Sequence, residues 1–346
     1  MNAKALILLL FTVLAGPAAA QGFAGMASDA DGFTLPDPDY PFSFPRDHGP
    51  HPDFRIEWWY ITANLTAADG TDYGLQWTLF RSALAPGDGE GWSSPQFWMA
   101  HAAVTTPDAH YHAERFARGE IGQAGVTTDP FAAWIDDWQM TGIEDGRLSA
   151  RGPEFAYDLA FTAEGPFVPQ GAEGYSVKSE AGQASHYYSQ PFYRFEGTLT
   201  LPDGPVAVTG QGWMDREWSS QPLTEDQTGW DWFSLHFDTG EKLMGYSLRS
   251  SVDPAYTVAT WIAPDGTPTP YAAGALQAEA LGWTVVAGRD VPTTWRLRLP
   301  ERDLDITVAA LNPQSWMPTT VSYWEGPVGA TGSHPGRGYL EMTGYE

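Results

Sequence analysis

The sequence contains no cysteine among its 346 residues. That absence removes disulfides, thiolate zinc sites, iron–sulfur clusters and cysteine nucleophiles together. Basic residues are scarce: 18 Lys and Arg stand against 43 Asp and Glu, a formal net charge of −25. Such a field repels phosphate backbones and anionic head groups, so no nucleic-acid partner is expected. After residue 20 no apolar run approaches the roughly eighteen residues that signal a spanning helix. Catalytic fingerprints are missing too. There is no Gly-x-Ser-x-Gly elbow, no His-Glu-x-x-His and no Walker loop, and Gly87-Asp88-Gly89-Glu90-Gly91 has the wrong spacing for a dinucleotide fingerprint. Serine hydrolase and zincin readings fall away, and neither a metal nor a cofactor is expected. His110-x-His112 would put two imidazoles on one strand face, but no carboxylate pattern joins them and a solvated loop is the preferred reading.

What is present is aromatic and turn-rich: 16 Trp, 15 Tyr and 17 Phe beside 37 Gly and 28 Pro, which suits strands and tight turns. At about 100 to 200 residues per domain the length suggests two domains. Residues 1–20 read as a signal peptide: a basic start ending at Lys4, an apolar run from Ala5 to Leu14, and Ala18-Ala19-Ala20 as a cleavage site. A run of about ten residues is too short to span a bilayer of about 30 Å. The chain is therefore expected in the periplasm or outside the cell, cleaved near Ala20. Residues 21–53, rich in Gly, Pro and Asp, read as an extended lead-in. From Ile56 onward, short aromatic or β-branched runs are cut by Ala68-Asp69-Gly70, Glu144-Asp145-Gly146, Pro202-Asp203-Gly204, Asp238-Thr239-Gly240 and Pro264-Asp265-Gly266, which mark hairpins. Alternation in Thr198–Leu201 and Trp295–Leu299 puts apolar and polar residues on opposite strand faces. Only Ala272–Ala280 has helical composition. The fold class is all-β.

An internal repeat organises these strands. Trp58-Trp59-Tyr60, a turn with Asp69-Gly70, then Gly74–Arg81 matches Trp230-Asp231-Trp232, a turn with Gly240, then Leu243–Arg249. Later, Tyr187-Tyr188-Ser189-Gln190-Pro191 leads to Gly210-Gln211-Gly212-Trp213-Met214-Asp215, as Tyr323-Trp324-Glu325-Gly326-Pro327 leads to Gly336-Arg337-Gly338-Tyr339-Leu340-Glu341. Both blocks carry Gly-x-Gly-aromatic-x-acid. Two homologous β units meeting near Ser219–Thr228 follow, an N-terminal barrel over 54–225 and a C-terminal barrel over 226–346. Their Gly residues permit the bends a small barrel needs.

The densest chemistry lies in Ser185-His186-Tyr187-Tyr188 and Trp213-Met214-Asp215-Arg216-Glu217-Trp218. Residues i and i+2 of a strand share a face, so His186 with Tyr188, and Trp213 with Asp215 and Glu217, are expected to line one lumen. A carboxyl group among aromatic rings loses solvation of its charged form and keeps its proton to higher pH, as a donor to a carbon–carbon double bond requires. Tyr188 and Trp213 would then shelter a carbocation and His186 would activate water. A salt-bridged rim made by Asp215, Arg216 and Glu217 accounts for the same residues equally well. Glu57, beside Trp58 and Trp59, reads either as a ligand-orienting group or as a buried ion pair with Arg55 or Arg81 plugging a barrel end. Trp77 and His101 complete the candidate ligand-binding set. Glu341, the counterpart of Asp215, reads as structural, because Ser322 precedes Tyr323 where the first repeat has His186.

Phe44-Pro45-Arg46-Asp47-His48, Glu57-Trp58-Trp59-Tyr60, Gly212-Trp213-Met214-Asp215-Arg216-Glu217-Trp218 and Gly338-Tyr339-Leu340-Glu341-Met342-Thr343-Gly344-Tyr345 resemble the AttH-like proteins related to carotenoid 1,2-hydratases. The resemblance spans about Phe44 to Glu346. It implies two tandem lipocalin-like β-barrels from an internal duplication. It also implies a cofactor-independent hydro-lyase site with His186, Tyr188, Trp213 and Asp215 as catalytic residues. Tyr188 and Trp213 depart from it, since the hydratase pattern has Trp after the His and Tyr before the Asp. An alternative implied by AttH-type members is a non-catalytic periplasmic protein that carries an apolar small molecule or lipid for an ABC transporter permease.

Overall fold

The computed structural model describes residues 30–221, 223–252 and 254–345. The expected signal peptide lies outside the described residues. Strands are numbered β1 to β23 in chain order. The first thirteen form one antiparallel sheet and the remaining ten a second, each curled toward a barrel. In the first, β1 (Ile56–Ala67) pairs on one side with β2 (Asp72–Ala83) and on the other with β13 (Gly204–Ser219), which returns along β12 (Ala184–Leu201). The second repeats the arrangement. There β14 (Gln227–Phe237) lies between β15 (Lys242–Ser250) and β23 (Gly336–Met342), which runs beside β22 (Tyr323–Gly332). The first barrel's strands end at Ser219 and the second's begin at Gln227.

All five Asp-Gly and Thr-Gly punctuations fall at junctions between antiparallel neighbours. The glycines of the repeated Gly-x-Gly serve a different end: they let the closing strand press on the opening one. A Cβ on Gly210 would stand 2.0 Å from the Asn64 carbonyl oxygen, and one on Gly338 1.9 Å from the Ser234 carbonyl oxygen. No side chain fits there.

Two segments differ from expectation. Residues 272–280 form no helix. The segment leads into strand β18 (Gln277–Val286), which pairs with β19 (Arg289–Leu299), and its alanines alternate with exposed polar residues. Pairing to a neighbour, which packs the half-buried Ala278 and Ala280 against the second core, overrides a short stretch of helix-favouring composition. His110 and His112 lie on strand β4 (His110–Arg118) rather than in a loop, with His110 between Thr105 and Met317.

Each barrel is filled by its own side chains. Trp59, Trp77, Trp138 and Trp218 are buried in the first core, and Trp261, Trp295 and Trp324 in the second. The lead-in is not merely extended. Its described part, from residue 30, folds over the end of the first barrel, where Arg46–His48 make one 3-10 turn and the Tyr40 and Phe42 rings pack against Trp218. A third apolar cluster, including Tyr60, Tyr187, Trp213, Trp232, Tyr246 and Tyr339, joins the outer faces of the two barrels.

Candidate active site

The parity of β12 and β13 decides which residues meet. Across this pair Ser189 stands opposite Asp215, Tyr187 opposite Glu217 and His186 opposite Trp218. Odd-numbered residues therefore point outward, toward the second barrel, and His186, Tyr188, Arg216 and Trp218 point into the first. A cavity of about 120 Å³ lies on the outward side between the barrels. A single water needs roughly 10–15 Å³ of such space, so the cavity admits several waters or a compact apolar molecule.

The cavity is built from equivalent positions of the two repeats. Trp58 matches Trp230, Tyr60 matches Trp232, Tyr187 matches Tyr323, and Asp215 matches Glu341; all eight line the cavity. In register, Tyr60 and Ser189 flank Asp215 on β1 and β12, just as Trp232 and Glu325 flank Glu341 on β14 and β22. Duplication thus places two acids in one space.

Asp215 accepts hydrogen bonds from the Tyr187 hydroxyl at 2.5 Å, the Ser189 hydroxyl at 2.6 Å and the Trp213 indole N–H at 2.6 Å. The Trp232 N–H donates to the Tyr187 oxygen at 3.2 Å, which directs the Tyr187 proton to Asp215. A carboxylate offers about four lone-pair sites, so one remains to carry a proton. Burial raises the Asp215 pKa to about 7; its three donors oppose the rise, and the charge of Glu217 adds to it. Glu341 accepts from the Trp230 N–H at 2.6 Å. Burial raises its pKa to about 7 as well, with Trp230 opposing and the charges of Asp215 and Glu217 adding. Behind it, Glu325 accepts from the Tyr60 hydroxyl at 2.5 Å, and burial together with the Glu341 charge pushes it well above the usual carboxylate range.

The two ends of the cavity are held differently. At one, Glu217 accepts from the Ser185 hydroxyl and pairs with the Lys178 ammonium at 2.7 Å. Burial disfavours the Lys178 charge, but Glu217, Tyr246 and Asp215 together outweigh it and the lysine pKa is raised. At the other end His101 lies 2.9 Å from the Tyr323 hydroxyl and 3.1 Å from Glu114. Burial lowers its pKa, against the pull of Glu114. Among the described residues no group of three or more His, Asp or Glu is placed to hold a metal ion.

Of the residues singled out in the sequence, Asp215, Glu217, Trp58 and His101 line the cavity, and Trp213 touches it through Asp215. The others lie elsewhere. The expectation that His186 and Tyr188 share a lumen with Asp215 is not met, because the strand's twofold alternation sends them to the other face. His186 Nε2 accepts from the Asp37 backbone N–H at 3.3 Å beneath Tyr40, and Tyr188 sits 2.7 Å from His48. Burial lowers the His186 pKa to about 4, helped by nearby His51. Glu57 is the buried ion pair at the barrel end, bonded to Arg81 and Arg216, with the Arg216 guanidinium over the Trp59 ring at 3.9 Å. Trp59 and Trp77 belong to the first barrel's core.

Sequence reasoning missed Tyr60, Lys178, Tyr187, Trp230 and Trp232, and read Glu341 as structural although it lines the same cavity. The repeat carried the signal: residues matched to Trp58, Tyr60 and Asp215 could have been placed together once the two outer faces were assumed to meet.

Fold and site together define a double lipocalin-like barrel with an acid-lined cavity between its halves. The chain belongs to the AttH-like family, whose family model matches residues 35–345. A crystal structure of a protein assigned to AttH, from Nitrosomonas europaea, is 30% identical with a TM-score of 0.81, over 91% of this chain and 100% of that one. Kievitone hydratase from Nectria haematococca is 14% identical with a TM-score of 0.66, over 93% and 95% of the two chains. CghA, solved with Sch210972, is 13% identical with a TM-score of 0.50, over 84% and 89%. At those identities the latter two bear on the fold alone. Comparison with curated proteins finds no match.

Proposed function

We propose that this protein is an exported, cofactor-independent hydratase that adds water to a carbon–carbon double bond of an apolar, isoprenoid-like molecule held between the barrels. The observation that carries the reading is Asp215: a carboxyl with a pKa raised to about 7, facing a cavity walled mainly by apolar and aromatic side chains. Near neutral pH such a group holds a proton for a large fraction of the time and can release it to an alkene carbon. The cation so formed would lie among the π faces of Trp58, Trp230 and Trp232, whose quadrupoles favour positive charge. Water capture then yields the alcohol. Substrate binding would rest on apolar burial, in keeping with a lining that has few charged groups and with a net charge that disfavours anionic ligands.

The test is mass spectrometry of products after incubating wild type and Asp215→Asn with myrcene or farnesene in isotopically labelled water. The expected result is an alcohol carrying one labelled oxygen with wild type, and at least a hundredfold less with the variant while retention of the alkene is unchanged. Retention of alkene by both proteins with no alcohol from either would overturn catalysis in favour of a carrier, for which an ABC transporter permease would be the partner.

A further inference from the structure

The hydratase reading needs two proton-handling groups, a donor to carbon and an acceptor from water, and the residue expected as the acceptor, His186, lies on the far side of the sheet. His101 does not replace it: both ring nitrogens are engaged, one with Tyr323 and the other with Glu114. Lys178 is committed to Glu217. Among the described residues the remaining carboxyl lining the cavity is Glu341, and it occupies in the second barrel the position Asp215 occupies in the first.

We propose that Glu341 is the second catalytic carboxyl, so that the site is a dyad of one acid from each barrel straddling the duplication. This inference rests on the hydratase reading and adds to it the group that activates water. The two members are held differently. Asp215 is fixed by three donors from its own barrel, whereas Glu341 is oriented by the Trp230 indole at 2.6 Å and backed by Glu325.

In the forward step the Asp215 O–H bond breaks and its proton forms a C–H bond at one alkene carbon, leaving a cation at the other. A water oxygen bonds to that cation while Glu341 takes one water proton. The product is the alcohol, Asp215 is left ionised and Glu341 protonated, and exchange with solvent at the cavity mouth restores the starting state. Asp215 and Glu341 line one cavity and the Asp215 charge raises the Glu341 pKa, so ionisation of one carboxyl disfavours ionisation of the other and a singly ionised pair is the favoured state near neutral pH. The groups facing Glu341 are Asp215 and Glu217 from β13, Glu325 and Tyr323 from β22, Tyr60 from β1, and Trp230 from β14. Glu217 is offset by Lys178. Asp215 is therefore its main titrating partner within the cavity.

The experiment is the pH–rate profile of labelled-alcohol formation from farnesene by wild type, Asp215→Asn and Glu341→Gln, with farnesene affinity followed by tryptophan fluorescence. Wild type should give a bell with its maximum near neutral pH. Glu341→Gln should lose about 10²- to 10⁴-fold in rate, keep its farnesene affinity and lose the acid-side limb, since no base is left to be protonated. Asp215→Asn should lose the alkaline-side limb. A Glu341→Gln protein with wild-type turnover, or one that loses affinity and rate together with both limbs intact, overturns the proposal and leaves the hydratase reading standing. No alcohol from wild type overturns both. Should the glutamine variant fail to fold, Glu341→Asp decides: a slower enzyme with both limbs supports the dyad, and unchanged turnover overturns it.

Discussion

Asp215 carries opposite demands at the scale of the residue. Three donors favour its charged form and complete burial disfavours it, and burial wins, raising the pKa to about 7. Because the unfolded value is about 3.9, ionising this side chain costs folding free energy that grows from about pH 4 and levels off above about pH 7. Asp215→Asn removes that cost. Chemical denaturation should find that the stability of the variant relative to wild type rises by about 4 kcal/mol between pH 4 and pH 8. An advantage independent of pH would mean that the carboxyl does not titrate in this range. Glu57 shows the contrasting outcome. Burial works against its carboxylate too, but Arg81 and Arg216 hold its pKa well below the usual range, and it remains charged. Both acids are buried, and only the one without a guanidinium partner holds a proton near neutrality.

Among the strands, much of the architecture was legible in the sequence. The Asp-Gly turns, the alternation of Trp295–Leu299 and the two Gly-x-Gly-aromatic-x-acid blocks are short-range signals, and each maps onto a hairpin or a strand pair. Face assignment was less legible. Alternation says that His186 and Tyr188 point the same way and that Trp213, Asp215 and Glu217 do too, but not that the two sets point together; that depends on the register of β12 against β13, a long-range property. Fold class likewise does not say whether a ligand sits inside a barrel or against it. The Gly-x-Gly closure gives this scale its own test. Gly338→Ala places a methyl where a Cβ would lie 1.9 Å from the Ser234 oxygen, so β23 must shift against β14. We expect a loss of about 2 kcal/mol or more and, because Glu341 rides on the same strand, reduced turnover. Unaltered thermal unfolding would show that the two strands are not pressed together there.

For the whole molecule, duplication did more than supply two barrels. Each barrel packs its interior with tryptophan and aliphatic side chains, and the cavity that holds Asp215 and Glu341 lies in the seam between the two outer faces. Matched aromatic residues from the two repeats wall that seam, and the matched acids have parted in detail, one held by hydroxyls and the other backed by a further carboxyl. The lead-in covers the far end of the first barrel and brings His48 to Tyr188, so the His186 side of the sheet is occupied by the chain itself. The most direct measurement is a crystal structure of the Asp215→Asn protein soaked with farnesene. Density for the alkene between the barrels, against Trp58 and Trp230 and beside residue 215, is the expected result. Density inside the first barrel, against His186 and Tyr188 with the lead-in displaced, would contradict the placement of the site.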